Sequence, residues 1–409
     1  MAFSLRARVV FPVDRAPIEH GVVTIDGERI VAVGTQAEGG EVFDLGSVAL
    51  LPGLVNTHTH LEFSHLKRPL GEPGMALVDW IRLVIAERGR GDREASDSIR
   101  AGLAESVRDG VTMLGEITQG DANAYEKAGV DLTFFLEVIG FSRARAESAF
   151  AAVMERLAGL EGKSSGQIGL SPHAPYTVSP ELLRELVRLA QEQNLPVAMH
   201  VAESADELEL LATGTGPFQE LLAERSMWDA AAIPRASRPL DYLRLLAEAP
   251  RALVIHGNYL DDAERSFLAA NVDRMSLVYC PRTHAYFGHP PYPLAELLAA
   301  GVRVALGTDS RASNPDLDLL AEMRYVAGTI PAIDPLEILR MGTLTGAEAL
   351  GRAAEVGSIT PGKLANLVAV PLPDDVRAAP RDRLVAILAS PESPCAVWIR
   401  GKRIDGAVA

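Results

Sequence analysis

The stretch Pro52-Gly53-Leu54-Val55-Asn56-Thr57-His58-Thr59-His60 decides the reading of this chain. An apolar run, Leu51–Asn56, ends in two histidines separated by one residue. In an extended backbone, residues i and i+2 project to the same side, so His58 and His60 converge on one point. Two neutral imidazoles at that spacing suit a zinc-type cation. A pair of polar loop histidines is the competing reading of the tripeptide alone. A doubly wound sheet would carry a Gly-rich phosphate turn after its first strand, and this run instead ends in Asn-Thr-His-Thr-His.

Further along, seven more short apolar runs alternate with helical patterns: Val111–Ile117, Leu132–Ile139, Ile168–Ser171, Val197–His200, Ala252–His256, Ser276–Tyr279 and Val302–Leu306. Helices are expected over Ser96–Arg108, Pro180–Gln193 and Pro293–Ala300. Eight strands alternating with helices over roughly 300 residues is the arithmetic of an α/β protein of the (β/α)₈ TIM-like barrel type. The two ends read differently. Val22–Gly34 has a hairpin pattern around Asp26-Gly27, and residues 357–404 hold further short apolar runs. The expected organisation is a small β-sandwich built from both chain ends, residues 1–50 plus 350–409, around a barrel of residues 51–349. The mixed segment 214–241 fits a lid or insertion over the barrel mouth.

In such a barrel, chemistry sits just past the C-terminal ends of the strands. The first run ends in His58 and His60, the fifth in His200-Val201-Ala202-Glu203, the sixth in His256-Gly257 and the eighth in Gly307-Thr308-Asp309. One such residue alone is commonly a cap or a satisfied polar group, whereas four strand ends carrying them together point to a metal site. His58, His60, His200 and Asp309 are the candidate ligands of one divalent metal, zinc first, with iron or manganese not distinguished. A catalytic site of this kind leaves a position for water and lowers that water's pKa toward about 7. Asp309 is a candidate to take a proton, Glu203 to donate one, and His256 to hold the nucleophile or act as a further ligand.

Other residues are candidates for the substrate. His173 follows the fourth run, in Ser171-Pro172-His173-Ala174-Pro175-Tyr176, with a tie for a Pro-rich loop as the other reading. His284 lies in the His- and aromatic-rich 280–289 loop after the seventh run, where a substrate rim and a packed loop are equally good readings. Trp80 is a candidate pocket cap or helix core. Arg143 follows the third run and can hold a polar tail or sit in solvent. Cys280 reads as a small buried residue.

The 409 residues carry 39 Lys+Arg against 54 Asp+Glu, a net charge of −15. That balance opposes a nucleic-acid phosphate binder. With 48% apolar and 23% charged residues the chain is not of disordered composition. Only Cys280 and Cys395 are present, too few for a disulfide framework or a thiolate zinc module. No signal-peptide run and no apolar stretch of about 18 residues occurs. A cytoplasmic protein with no membrane partner is expected, acting on a small molecule, with homo-oligomerisation left open.

The first motif, followed in order by His200, His256 and Gly307-Thr308-Asp309, resembles the amidohydrolase superfamily. The Gly357-Ser-Ile-Thr-Pro-Gly-Lys363 stretch and the β-rich ends look like the family's composite sandwich. Ser171–Tyr176 and His200–Glu203 resemble the chlorohydrolase and aminohydrolase branch, which includes S-adenosylhomocysteine, guanine and aminofutalosine deaminases. His60-Leu61-Glu62-Phe63-Ser64 looks most like the aminofutalosine group, which makes Glu62 a further substrate candidate. The branch is similar in using one metal, and no lysine suited to bridging two stands at the end of the third or fourth run. Two departures stand out. The usual "Cys-Pro-x-Ser-Asn" is Cys280-Pro281-Arg282-Thr283-His284 here, and "Ala-Asp-Leu" is Ala365-Asn366-Leu367. The resemblance implies a metal-dependent hydrolytic deaminase of an aminated heterocycle, a purine base or nucleoside-like compound. Hydrolytic dechlorination of a triazine-like ring or opening of a cyclic amide is the alternative, and a non-catalytic scaffold the remote one.

Overall fold

A computed structural model describes residues 2–90, 95–119, 122–125, 129–160, 166–373 and 379–404. Eight parallel strands form one sheet in sequence order: β1 (Leu54–Thr59), β2 (Val111–Thr118), β3 (Asp131–Val138), β4 (Gln167–Pro172), β5 (Pro196–Val201), β6 (Arg251–His256), β7 (Met275–Tyr279) and β8 (Val304–Leu306). The eight expected runs correspond to these strands, with one correction. Leu51–Asn56 is two strands, because Val48–Pro52 belongs to a different sheet and β1 begins at Leu54. The break falls at Gly53, where a Cβ would meet the Thr112 side chain at 2.2 Å. Only glycine lets the chain pass that close.

The strands are apolar on both faces because one face fills the barrel and the other packs on helices. In β3, Phe135 belongs to the interior cluster with Val55, Met113, Ile117, Ala198, Leu253, Ile255 and Val278. Its neighbours Phe134 and Leu136 belong to the outer cluster with Leu182 and Leu186 of the helix Pro180–Gln193. That helix starts where Ser179 accepts a bond from Leu182 N and Pro180 takes the first turn. It stops at Asn194, whose φ of 54° lies in the left-handed region.

The sheet closes between its first and last strands. His58 O accepts bonds from the backbone N–H groups of both Thr308 and Asp309 at 3.1 Å. The Thr59 hydroxyl donates to Asp309 O at 2.8 Å, and the Thr57 hydroxyl to Leu306 O at 2.6 Å. Behind them Asn56 Nδ2 donates to the Thr308 hydroxyl at 2.8 Å, and Asn56 Oδ1 accepts from Thr308 N at 3.2 Å.

The chain ends form two further sheets. Strands Arg29–Gly34, Val22–Asp26, Phe3–Arg6 and Glu41–Asp44 make one, with the expected hairpin turning at Gly27. Lys402–Ile404, Ala396–Ile399, Leu367–Pro371, Val48–Pro52, Val9–Val10 and Ile18–Glu19 make the other. Leu5, Val23 and Ile25 of the first meet Val10, Leu50, Leu367 and Trp398 of the second in a separate core. Residues 1, 374–378 and 405–409 of the expected terminal unit lie outside the described residues. No helix among the described residues is long and apolar enough to cross a membrane.

Replacing Asn56 with Ala removes the partner of the buried Thr308 hydroxyl and leaves the Thr308 N–H with His58 O alone. We expect a loss of about 1–3 kcal/mol in urea unfolding with an unchanged m value. A change under about 0.5 kcal/mol would show that Asn56 does not hold the seam.

Candidate active site

Four imidazoles and two carboxyl groups converge at the C-terminal end of the barrel strands. His58, near the end of β1, is followed by His60, and their ring centroids lie 4.9 Å apart. His200 of β5 lies 5.1 Å from His58 and 5.6 Å from His60. His256, the last residue of β6, is 5.7 Å from His58 and 5.4 Å from His200. Asp309 enters from the seam, with Oδ1 3.5 Å from His58 Nε2 and Oδ2 accepting from the Ser313 hydroxyl at 2.8 Å. Both His256 (φ 67°) and Asp309 (φ 57°) have left-handed backbones, a conformation non-glycine residues adopt at some cost. Strand alternation puts Leu253 and Ile255 inside the barrel and would send the next residue outward. The left-handed turn at His256 goes with a ring that faces the site instead.

The donor set fits a divalent cation. Ligand atoms of His58, His60 and His200 lie within 4.8 Å of one another, and so do those of His58, His256 and Asp309. Both ring nitrogens of His58 and Nδ1 of His60 are buried without a hydrogen-bond partner. Buried polar atoms left in that state are costly, and a bound cation would relieve one nitrogen of each imidazole it takes as a ligand. His200 is oriented from behind: its Nδ1 donates to His173 O at 2.8 Å, which leaves the Nε2 lone pair for the site.

Burial sets the protonation states. It drives His60 and His200 well below the ordinary imidazole range, helped by the neighbouring histidines, and takes His256 down to about 3 against the pull of Asp309. Glu203 moves the other way. Burial, then the charges of Asp309 and Glu207, hold its carboxyl well above the usual range. Asp309 is buried too, but contact with His58 and the bond from the Ser313 hydroxyl help to outweigh burial and keep it below its ordinary value. Glu203 Oε1 lies 3.4 Å from His256 Nε2, and Oε2 accepts from the Tyr176 hydroxyl at 3.3 Å. The backbone N–H groups of Ala202 and Glu203 donate to the two carboxyl oxygens of Glu207, at 2.8 and 2.9 Å, which fixes the turn that carries Glu203.

His60, His200, Glu203, His256 and Asp309 form the floor of a cavity of about 300 Å³. Its walls are mainly apolar: Trp80, Ile81 and Val84 from the helix Leu77–Arg88, and Phe218, Leu221 and Leu222 from the helix Pro217–Glu224. Part of the 214–241 segment thus covers the mouth. The substrate candidates divide. His173 and Trp80 line the cavity; His173 Nδ1 shares a 2.7 Å bond with the Thr177 hydroxyl, and Trp80 Nε1 donates to Ala312 O at 2.9 Å. Glu62, His284 and Arg143 are not among its lining residues. Glu62 is paired with Arg88 at 2.6 Å. His284 sits on the short helix Pro281–Tyr286, packed among Tyr279, Tyr292 and His289. Neighbouring Arg282 is tied to Glu322 at 2.7 Å and Asp316 at 2.6 Å, so this loop is braced from the side away from the cavity. Arg143 is the exposed first residue of the helix Arg143–Leu160, where its charge stays in water. Cys280 is buried in the barrel interior, as read.

Sequence reasoning missed Arg88, Glu137 and Tyr176 in the cavity wall, and Glu207 beneath Glu203. Ser204-x-x-Glu207 has capping-box spacing, and that signal was there to be read. Glu137 is the one carboxylate inside the apolar run Leu132–Ile139.

A metal-dependent hydrolase barrel is the class that this fold and donor set define, and residues 49–404 match the Amidohydrolase family, to which the chain belongs. A 5-methylthioadenosine/S-adenosylhomocysteine deaminase of Pelotomaculum thermopropionicum is 30% identical over 373 residues, spanning 86% of this chain and 80% of the relative. An adenosine deaminase from Xanthomonas campestris with bound zinc superposes with a TM-score of 0.80 at 27% identity, covering 98% of this chain and 92% of that one. The aminofutalosine deaminase of Helicobacter pylori, in complex with methylthio-coformycin, shares the fold at a TM-score of 0.85 and 22% identity, covering 98% and 100%.

Zinc analysis of purified protein checks the donor set. His200→Ala is expected to lose bound zinc and turnover together, and full activity in the metal-stripped variant would remove His200 from the site.

Proposed function

We propose that this chain is a hydrolytic deaminase that releases ammonia from an aminated heterocycle of purine nucleoside type, with His58, His60, His200 and Asp309 holding one divalent metal, zinc by preference. The observation that carries the reading is geometric: Glu203 and His256 stand 3.4 Å apart with Asp309 on one cavity floor, beside the candidate metal ligands. Burial moves the Glu203 carboxyl well above its ordinary range and takes His256 down to about 3, while Asp309 lies below its ordinary value. A divalent metal supplies Lewis acidity and a water whose pKa falls toward about 7.

The chain's own residues do the rest. Asp309, an acceptor only while ionised, takes a proton from the attacking water. His256, neutral because it is buried, accepts a hydrogen bond from that water and orients it. Glu203 has a proton to give and faces the cavity, so it protonates the ring nitrogen as the ring carbon becomes tetrahedral. The proton that Asp309 has taken from water passes to the departing amino group, and ammonia leaves as the carbonyl forms. The apolar walls exclude water and suit the faces of an aromatic heterocycle.

The relative named 5-methylthioadenosine/S-adenosylhomocysteine deaminase supports the nucleoside class. Two free cysteines, Cys280 buried and Cys395 exposed, support a cytoplasmic setting.

An ammonia-release screen over adenine- and guanine-type bases and nucleosides tests the proposal, and release of chloride from a chlorotriazine with no ammonia from any purine would overturn it. Glu203→Gln is expected to keep the metal and lower kcat by about 10²-fold or more; an unchanged rate would remove Glu203 from the mechanism. The pH profile follows from the shifts. Glu203 works as an acid, so rate is present below its raised pKa and lost above it. Asp309 works as a base, so rate is present above its lowered pKa and lost below it. The wild-type plateau should therefore lie between the lowered Asp309 pKa and the raised Glu203 pKa, and Glu203→Gln should lose the alkaline limb.

A further inference from the structure

Glu137 is not used by the chemistry just described, yet it lines the cavity. It is on the same face of β3 as Phe135, two residues earlier, and so points into the barrel interior beyond the last apolar layer. Its side chain is 1% exposed. Its two oxygens are treated differently. Oε2 accepts from Gln119 Nε2 and lies 3.7 Å from the Arg88 guanidinium. Oε1 is buried with no hydrogen-bond partner, and His173 Nε2 stands 3.9 Å from it.

A role as counter-ion to Arg88 does not account for this. Arg88 is bonded to Glu62 at 2.6 Å, and it faces Oε2, not Oε1. A role in the metal site does not account for it either, since Glu137 belongs to neither group of clustered ligand atoms. Burial opposes its charge, but Arg88, His173 and the Gln119 bond outweigh burial and keep it ionised. An ionised carboxylate can only accept. The vacant oxygen therefore calls for a donor brought in by whatever fills the cavity. Phe63, Val84 and Ile139 border the same space, and the Arg88 charge stands beside it, so a neutral O–H suits the position better than an ammonium.

We propose that Glu137 is a specificity-determining residue: its free Oε1 accepts a hydrogen bond from a ring hydroxyl, 2′ or 3′, of the sugar carried by the reacting heterocycle. The proposal rests on the deaminase reading and sharpens it. The substrate is a hydroxylated, sugar-bearing compound, and the bare base is a poor one. A site built to hydrogen-bond a substrate hydroxyl rejects the analogue lacking it, because its own polar group is then left unpaired. In Glu137→Gln, the donors at Arg88 and Gln119 hold the amide oxygen on their side. The amide N–H₂ is left facing the cavity, a donor where an acceptor is needed. Glu137→Asp keeps the charge and withdraws it by one methylene.

The test uses zinc-loaded full-length protein in two arms. The first compares kcat/KM for adenosine and 2′,3′-dideoxyadenosine. The second compares calorimetric binding of inosine and 2′,3′-dideoxyinosine, which carry no amino group to lose. Wild type is expected to favour the hydroxylated member by about 10²-fold or more. Glu137→Gln should bring that ratio to within a few-fold of one with zinc content unchanged, and Glu137→Asp should fall between. Equal treatment of both members by wild type, binding of neither, or a ratio that survives Glu137→Gln would each overturn the role of Glu137. Selective binding of inosine without ammonia from adenosine would overturn the deaminase reading and leave Glu137 in its role.

Discussion

The seam between β1 and β8 is the constraint on which the site depends. A barrel of parallel strands must join its last strand to its first, and here the joining bonds run through the residues that carry the chemistry. His58 presents its ring to the site while its carbonyl takes two backbone N–H groups from Thr308 and Asp309. Asp309 presents its carboxylate while its carbonyl takes the Thr59 hydroxyl. The side chains contributed by residues 58 and 309 are therefore set by barrel closure, 251 positions apart in sequence though they are. His200 is fixed separately, through the His173 carbonyl on the neighbouring strand end. Each candidate metal ligand is thus oriented by backbone hydrogen bonding, which holds geometry more tightly than side-chain packing alone.

Burial then differentiates the groups. The same apolar surroundings push carboxyl groups toward the neutral acid and imidazoles toward the neutral base. Asp309 escapes because His58 and the Ser313 hydroxyl contact its carboxylate, and Glu203 does not because Asp309 and Glu207 add their charges to its burial. Two carboxyl groups in one pocket are thus shifted in opposite directions, which is how an acid and a base can work side by side.

Much of this was legible in sequence for physical reasons. The eight strands are buried on both faces, so each reads as a continuous apolar run, and the strand-end rule then picked out His58, His60, His200, Glu203, His256 and Asp309. The same continuity hid the break at Gly53, since Val48–Pro52 and β1 are both buried and the bend depends on a close approach to Thr112. Glu62 carried a family-like signal, but its partner Arg88 lies 26 residues on and meets it only when the helix Leu77–Arg88 folds over the mouth. Arg143 stood close to a strand end in sequence, yet the helix it begins leaves it in solvent. Glu137 was overlooked because it sits inside an apolar run, where the eye looks for core. It proves to be the polar end of β3.

The central claim is that closing the barrel assembles a site for one metal from His58, His60, His200 and Asp309. A zinc-edge anomalous difference map of crystals of the purified protein tests it most directly. The account predicts one strong peak per chain, enclosed by those four side chains, with Glu203 and His256 beside it. Stoichiometric zinc with its peak among other residues, or two peaks sharing the site, would contradict it.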